Sequence, residues 1–187
     1  VETDTKTERV KMPLRYFGDP ILKEVCQPIE AFDETVAELE KELVSVFLEK
    51  KAMGLAANQI GINKQMCIVA RVKPVKDSYE VVGYATLTNP TIISEDGIKI
   101  RDYEGCLSFP DLYITVQRPT KLTVEFNDIS GNRVQTEFTE FEARIAYHEV
   151  DHLNGITMLE RISTMERIKV GNMVRQLRKR IEQLKTN

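Results

Sequence analysis

The chain carries two histidines, His148 and His152, four residues apart with Glu149 between them, in the order His-Glu-x-x-His. In a helix advancing ~100° per residue, positions four apart differ by roughly 40° around the axis, so both imidazoles project from one face, one turn apart. Two imidazoles held in this way grip a divalent cation. Glu149 falls ~100° from the first histidine and about 60° from the second, beside the ligand positions rather than among them. A carboxylate there is suited to general acid/base work. Phe141, Ile145, His148 and His152 recur at steps of four, three and four, which predicts that this face turns inward and buries the histidines. A hydrogen-bonded pair of core histidines is the plainer alternative, and the intervening Glu149 favours metal.

A catalytic metal needs a third protein ligand and a position open to water. Cys106 is the best candidate, in the segment EGCLS from Glu104 to Ser108, where Gly105 permits close backbone approach. A metal at such a site would itself deprotonate the thiol. The other cysteines, Cys26 and Cys67, read as buried, inert small hydrophobes. Glu166 or another downstream carboxylate as third ligand would make the chain a zinc endopeptidase instead, and a noncatalytic metal- or ribosome-binding module is a third reading.

The elements that must position these residues follow from pattern. The 187 residues, 42% hydrophobic and 29% charged, suit one domain able to bury roughly 70% of its unfolded surface. No apolar run approaches the ~18 residues of a membrane span, which predicts a soluble chain with no membrane partner. The net charge of -3 supplies no global field for nucleic acid. An odd cysteine count without framework spacing points to a reducing compartment and no disulfide partner. Residues 1–12 mix Glu2, Asp4 and Glu8 with Lys6, Arg9 and Lys11; they read as a disordered extension or cloning remnant, with Met12 a candidate start, and residues 13–187 as a single catalytic domain.

From Asp33 to Lys51 the residues Val36, Leu39, Leu43, Val46 and Phe47 predict an amphipathic helix. Ala52 to Gln59 (AMGLAANQ) is too poor in β-branched residues for an ordinary strand and reads as a loop with special backbone needs. Strands are expected at Met66–Val72, Ala85–Ile93, Ile98–Tyr103, Tyr113–Val116, Lys121–Asn127 and Arg133–Phe138, with Pro90, Pro110 and Pro119 at strand edges or ends and a hairpin turn over Asp128–Asn132. Thr139 with Glu142 forms a capping box and Asn154-Gly155 a stop, so Glu140–Leu153 should be the helix that carries the histidines. A last helix spans about Ser163 to Lys185. The fold class is α+β: antiparallel strands packed around a central His-Glu-x-x-His helix, with N-terminal and C-terminal helices.

Three segments in order, AMGLAANQ from Ala52, EGCLS from Glu104 and HEVDH from His148, resemble the three signature motifs of the peptide deformylases, and the likeness extends from GDPIL at Gly18 to about Arg161. That family comprises α+β metallohydrolases that remove the formyl group from N-terminal formylmethionine of nascent chains. The resemblance implies Cys106, His148 and His152 as metal ligands, Glu149 as catalytic acid/base, and Gln59 with the Leu107 backbone amide as oxyanion donors. It further implies that Gly54 and Gly105 border a groove where substrate adds as an extra strand, and that Met53 and Ile145, with Phe141, line a methionine pocket. Asp151 is expected to pair with Arg118 or to orient a ligand.

The implied cofactor is one divalent ion, ferrous iron first, with zinc, nickel or cobalt acceptable to the same donors. The implied partners are formyl-Met nascent peptides, with ribosomal RNA a candidate for the basic last helix; the implied setting is cytoplasmic, an organellar one fitting as well. One departure is that the family's first motif usually begins with glycine and this chain has Ala52, which predicts a negative φ there.

Overall fold

The computed structural model describes residues 13–186, so the expected N-terminal extension over residues 1–12 lies outside the described residues. Helix α1 spans Glu34–Glu49, opened by Asp33, whose Oδ1 accepts the Thr35 N–H at 2.9 Å. Its face of Val36, Leu43, Val46 and Phe47 is buried, as the periodicity predicts. The helix closes in a Schellman turn: Lys51 takes φ 49°, its N–H bonds Leu48 O at 3.2 Å, and Ala52 N–H bonds Phe47 O at 3.0 Å. Ala52 is not among the residues of positive φ, so its Cβ is accommodated as expected.

One antiparallel sheet follows, in the order β1-β2-β3-β4-β5. Its strands are β1 Gly54–Ala56, β2 Met66–Val75, β3 Ser78–Cys106, β4 Phe109–Asn127 and β5 Arg133–Thr139. The expected loop over Ala52–Gln59 is therefore corrected to a three-residue strand followed by a 3-10 turn at Ala57–Ile60. Leu55 and Ala56 are fully buried, so packing against the central helix overrides their weak strand preference.

The strand segments expected separately merge in pairs. Ala85–Ile93 and Ile98–Tyr103 both belong to β3, and Tyr113–Val116 and Lys121–Asn127 to β4. The break between the pieces is the register shift between Asp96 and Lys99, where Lys99 pairs with Pro119; a further shift, between Thr88 and Thr91 around Pro90, falls inside the expected Ala85–Ile93 segment. A proline has no ladder N–H to give, so it sits at an irregularity instead of ending the strand. Strand β2 pairs only with Ser78–Thr88 of β3. Beyond that point β3 pairs with β4 alone, and the two form a long hairpin arm whose tip is the turn Leu107–Ser108 between Cys106 and Phe109. The β4–β5 turn is where expected, with Asp128 Oδ1 accepting from Ser130 N and Asn132 N.

Helix α2 spans Glu140–Leu153, and every residue from Ala143 to Leu153 is buried. Its start departs from expectation: Thr139 makes no side-chain capping bond. Glu142 is drawn instead to strand β2, accepting the Val72 N–H at 2.7 Å and pairing with Arg71 at 3.2 Å. Its end is the predicted Asn154-Gly155, where Gly155 has φ 69° and a Cβ would lie 2.5 Å from Lys23 O. Helix α3 spans Thr164–Thr186.

Apolar side chains form two clusters. The larger joins α1, β1, β2, parts of β4 and β5, and α2; the smaller joins Phe109, Leu112, Ile114 and Val116 of β4 to Met158, Ile162, Leu177 and Ile181. Among the described residues no helix is long and apolar enough to cross a membrane.

Candidate metal centre

Helix α2 presents His148 and His152 toward the tip of the hairpin arm, which carries Cys106. The His148 and His152 Nε2 atoms lie 3.1 Å apart, and Cys106 Sγ lies 3.2 Å from His152 Nε2. One ligand atom from each of the three residues falls within 4.8 Å of the others. Separations of this order let one small divalent ion be reached by all three residues, so Cys106, His148 and His152 are the ones that would hold it. The two imidazoles are in opposite electrostatic settings. Although burial opposes it, hydrogen bonds to Cys106 and Glu104 push His148 well above its ordinary pKa. Burial and the neighbouring charge of His148 push His152 well below its own. One sulfur and two imidazole nitrogens, the His152 one kept neutral and so able to give its lone pair, fit a divalent ion.

The orientation of His148 is fixed from behind. Its Nδ1 lies 3.0 Å from Glu104 Oε2, which turns Nε2 toward Cys106 and His152. Glu104 is in turn held by Arg118, at 2.8 and 3.0 Å, and by Arg144 Nη1 at 2.9 Å. Burial alone would raise the Glu104 pKa, but the bonds and charges of His148 and Arg118 hold it far below the usual carboxylate range. Arg118 also donates to Asp151 at 2.6 Å, the pairing expected from sequence, and Arg161 Nε donates to the same carboxylate at 2.9 Å. Both guanidinium groups lie over the Tyr147 ring, 4.6 and 5.1 Å from its centre, and its hydroxyl donates to Glu95. From the other side Asn58 Nδ2 donates to His152 O at 2.6 Å.

Glu149 is buried, and its Oε2 has no hydrogen-bond partner among the described residues. Burial pushes its pKa up to about 7. A carboxyl with a free oxygen and a pKa near neutrality can both take and give a proton. Gly54 makes room for it, since a Cβ there would lie 2.2 Å from Glu149 Oε1. Gly105 does the same for the Tyr113 ring, since its Cβ would lie 2.5 Å from Tyr113 Cε1. Gln59 is buried beside the trio, its Nε2 3.3 Å from Cys106 Sγ and 3.1 Å from Ser108 Oγ, while its Oε1 accepts the Ala56 N–H. Leu107 occupies the arm's turn, directly after Cys106.

A cavity of about 120 Å³ adjoins Glu149 and His148, lined by Met53, Phe141 and Ile145 with Tyr103, Gly105 and Arg144. A larger groove of about 630 Å³ between Gln27–Ala31 and α1 holds none of these residues. Glu166 is far from the histidines in role: it pairs with Arg101 and caps Ser163, which removes it as a third ligand. Cys26 and Cys67 are buried and unpaired, as expected. Sequence reasoning missed Glu104 as the partner of His148, and Arg144, Arg161, Asn58 and Ser108 altogether. Glu104 stands two residues before Cys106 on a strand, and the alternation of strand faces was the signal available for it.

A buried His-Glu-x-x-His helix, a thiolate from an antiparallel arm and an adjoining apolar cavity define a metal-dependent hydrolase of α+β fold. The family model for polypeptide deformylase matches residues 11–168. A peptide deformylase from Synechocystis is 33% identical over 157 residues, covering 84% of this chain and 82% of that protein. The structure of a class I type b peptide deformylase from Acinetobacter baumannii, with Met-Ala-Ser bound, has a TM-score of 0.76 at 34% identity and covers 82% of this chain and 99% of that one. An Arabidopsis thaliana peptide deformylase with inhibitor bound has a TM-score of 0.80 at 28% identity, covering 94% and 95%. The chain belongs to the polypeptide deformylase family, metal-dependent enzymes that remove the N-formyl group from formyl-methionine at the start of nascent polypeptides.

Proposed function

We propose that deformylation by this chain runs on Cys106, His148 and His152 as metal ligands and on Glu149 as the proton carrier. The observation that carries this is the convergence of those three ligand atoms within 4.8 Å, beside a buried carboxylate oxygen that lacks a partner. Those three residues would hold a divalent ion, which would supply Lewis acidity and make water nucleophilic near neutral pH. Glu149 takes a proton from the attacking water and passes it to the departing amine, work typically contributing ~100-fold to 10,000-fold. Gln59 Nε2 and the Leu107 backbone N–H stabilise the developing oxyanion; loss of one such donor typically costs about 2.7–4 kcal/mol. To serve, Gln59 turns one N–H from Ser108 or Cys106 to the substrate. Gly54 and Gly105 flank the peptide backbone, and the cavity of Met53, Phe141 and Ile145 receives the methionine side chain, which a flexible thioether fills well.

Ferrous iron is the ion this reading favours, although thiolate and imidazole donors accept cobalt, nickel and zinc. The decisive experiment assays iron-loaded protein without oxygen on formyl-Met peptides, with acetyl-Met and internal-amide controls. Selective release of formate supports the reading, and cleavage of the controls sinks it. Cys106→Ser should abolish turnover and metal retention, whereas Glu149→Gln should keep one equivalent of metal and lose most turnover. A cytoplasmic enzyme acting beside the ribosome fits this reading. Part of the basic face of α3 is engaged within the molecule, Arg178 stacking over Phe17 at 5.6 Å and Arg180 pairing with Asp111 at 2.6 Å. Co-sedimentation with ribosomes, salt-sensitive and reduced by Arg175→Glu with Lys179→Glu, tests that contact.

A further inference from the structure

Beyond Thr88, one edge of β3 has no strand partner among the described residues, because β2 stops there and β4 occupies the other edge. That open edge runs past the cavity beside the metal centre, where Tyr103 and Gly105 line the wall. Peptide groups alternate in direction along a strand, so the N–H groups of Tyr103 and Gly105 face the same way. The Tyr103 N–H donates to Asp102 Oδ1 at 2.8 Å, a side chain of its own strand, which we read as the N–H facing away from β4. Both groups therefore face the open edge. A chain added as a strand bonds that edge at every second residue, ~3.3 Å per residue along it. If the methionine lies opposite Gly105, the residue that meets Tyr103 is the third.

We propose that Asp102 determines how the enzyme treats the third residue of its substrate. This rests on the reading of Gly105 as the site of backbone pairing. The Asp102 carboxylate already occupies the Tyr103 N–H, so strand pairing stops after the second residue and a longer substrate gains nothing by reaching this point. The same carboxylate sets a negative charge there. Its neighbours do not cancel it: Arg101 is paired with Glu166, and Arg144 contacts only the Asp102 backbone oxygen, at 3.5 Å, while its strong bonds go to Glu104, Val116 O and Ile100 O. An acidic third residue is disfavoured and a basic one accepted. Edge strands elsewhere are blunted against unwanted pairing by the same kind of inward or capping charge.

The test compares kcat/KM for formyl-Met-Ala, formyl-Met-Ala-Ala-Ala, formyl-Met-Ala-Lys and formyl-Met-Ala-Glu in the wild type, Asp102→Ala and Asp102→Asn. Freed of its cap, the Tyr103 N–H should raise the ratio of tetrapeptide to dipeptide by about threefold to tenfold in Asp102→Ala, through KM. In Asp102→Asn the side-chain oxygen still accepts that N–H, so the length ratio should stay at the wild-type value while the preference for Lys over Glu is lost. Unchanged ratios in both variants, with formyl-Met-Ala still turned over, overturn the inference and leave the deformylase reading standing. No turnover of formyl-Met-Ala by the wild type overturns both.

Discussion

Gly54 and Glu149 constrain each other so closely that, on the proposed mechanism, the glycine matters to proton transfer although it has no side chain. Its Cβ would lie 2.2 Å from Glu149 Oε1, so Gly54→Ala must displace the carboxylate from its position beside the histidines. The expected result is a loss of kcat of about 100-fold or more with metal content unchanged, read by steady-state kinetics and metal analysis on one sample. Cysteine chemistry separates in the same way. Cys26 is pushed up to about 11 by burial, reinforced by Glu24, and Cys67 is raised well above its ordinary value by burial. Only Cys106 reaches solvent in part. A thiol reagent should therefore label one cysteine rapidly in metal-free native protein, none when metal is bound, and three after denaturation. Rapid labelling of Cys67 in the native state would contradict the buried assignment.

At the scale of elements, the close of α1 spends conformational energy that a glycine would save. Lys51 holds φ 49°, a left-handed geometry that costs an ordinary residue ~1–2 kcal/mol, partly offset by the entropy a glycine would lose. Lys51→Gly should stabilise the protein by roughly 0.5–1 kcal/mol in urea titrations. At the other end, bonds from the Thr35 side chain and backbone lower the Asp33 pKa. The stability this gives is present above the unfolded carboxylate pKa and lost as pH falls through the lowered one. Thermal melts of Asp33→Asn, which keeps the cap without the charge, should lack that acid-side decline. Arg118 ties the arm to α2 through two carboxylates, and Arg118→Met, which leaves both short of a partner, should destabilise by about 3–5 kcal/mol. The bounds of α2 were legible because Thr139 and Asn154-Gly155 are local signals; the expected capping box does not form, because Glu142 is claimed by Val72, 70 residues away. Strands β3 and β4 were read as four pieces, since an irregularity at Gly97 of one strand and Pro119 of the other looks like an end when its partner is unknown. That His148 and His152 share one helix face was legible from residue type and spacing, whereas the approach of Cys106 to them rested on the family resemblance. The bracing by Arg144 and Arg118 was not legible, because each meets Glu104 only through the tertiary fold.

For the molecule as a whole, the two apolar clusters meet at the metal centre. The histidines stand on a helix rooted in the larger cluster, whereas Cys106 packs against the smaller one under α3. Leu177→Ala, a buried change in α3, should cost about 2–5 kcal/mol and raise amide exchange over residues 109–116 before residues 66–70 respond. Equal exchange in both regions would mean that the clusters melt together. Two foundations of unequal size imply two heat limits. Warming that loosens the lesser one carries the sulfur away while the greater still stands, so the temperature of inactivation falls below that of unfolding, and lengthening the shelf life of the catalyst is a matter of shoring up α3 rather than the interior.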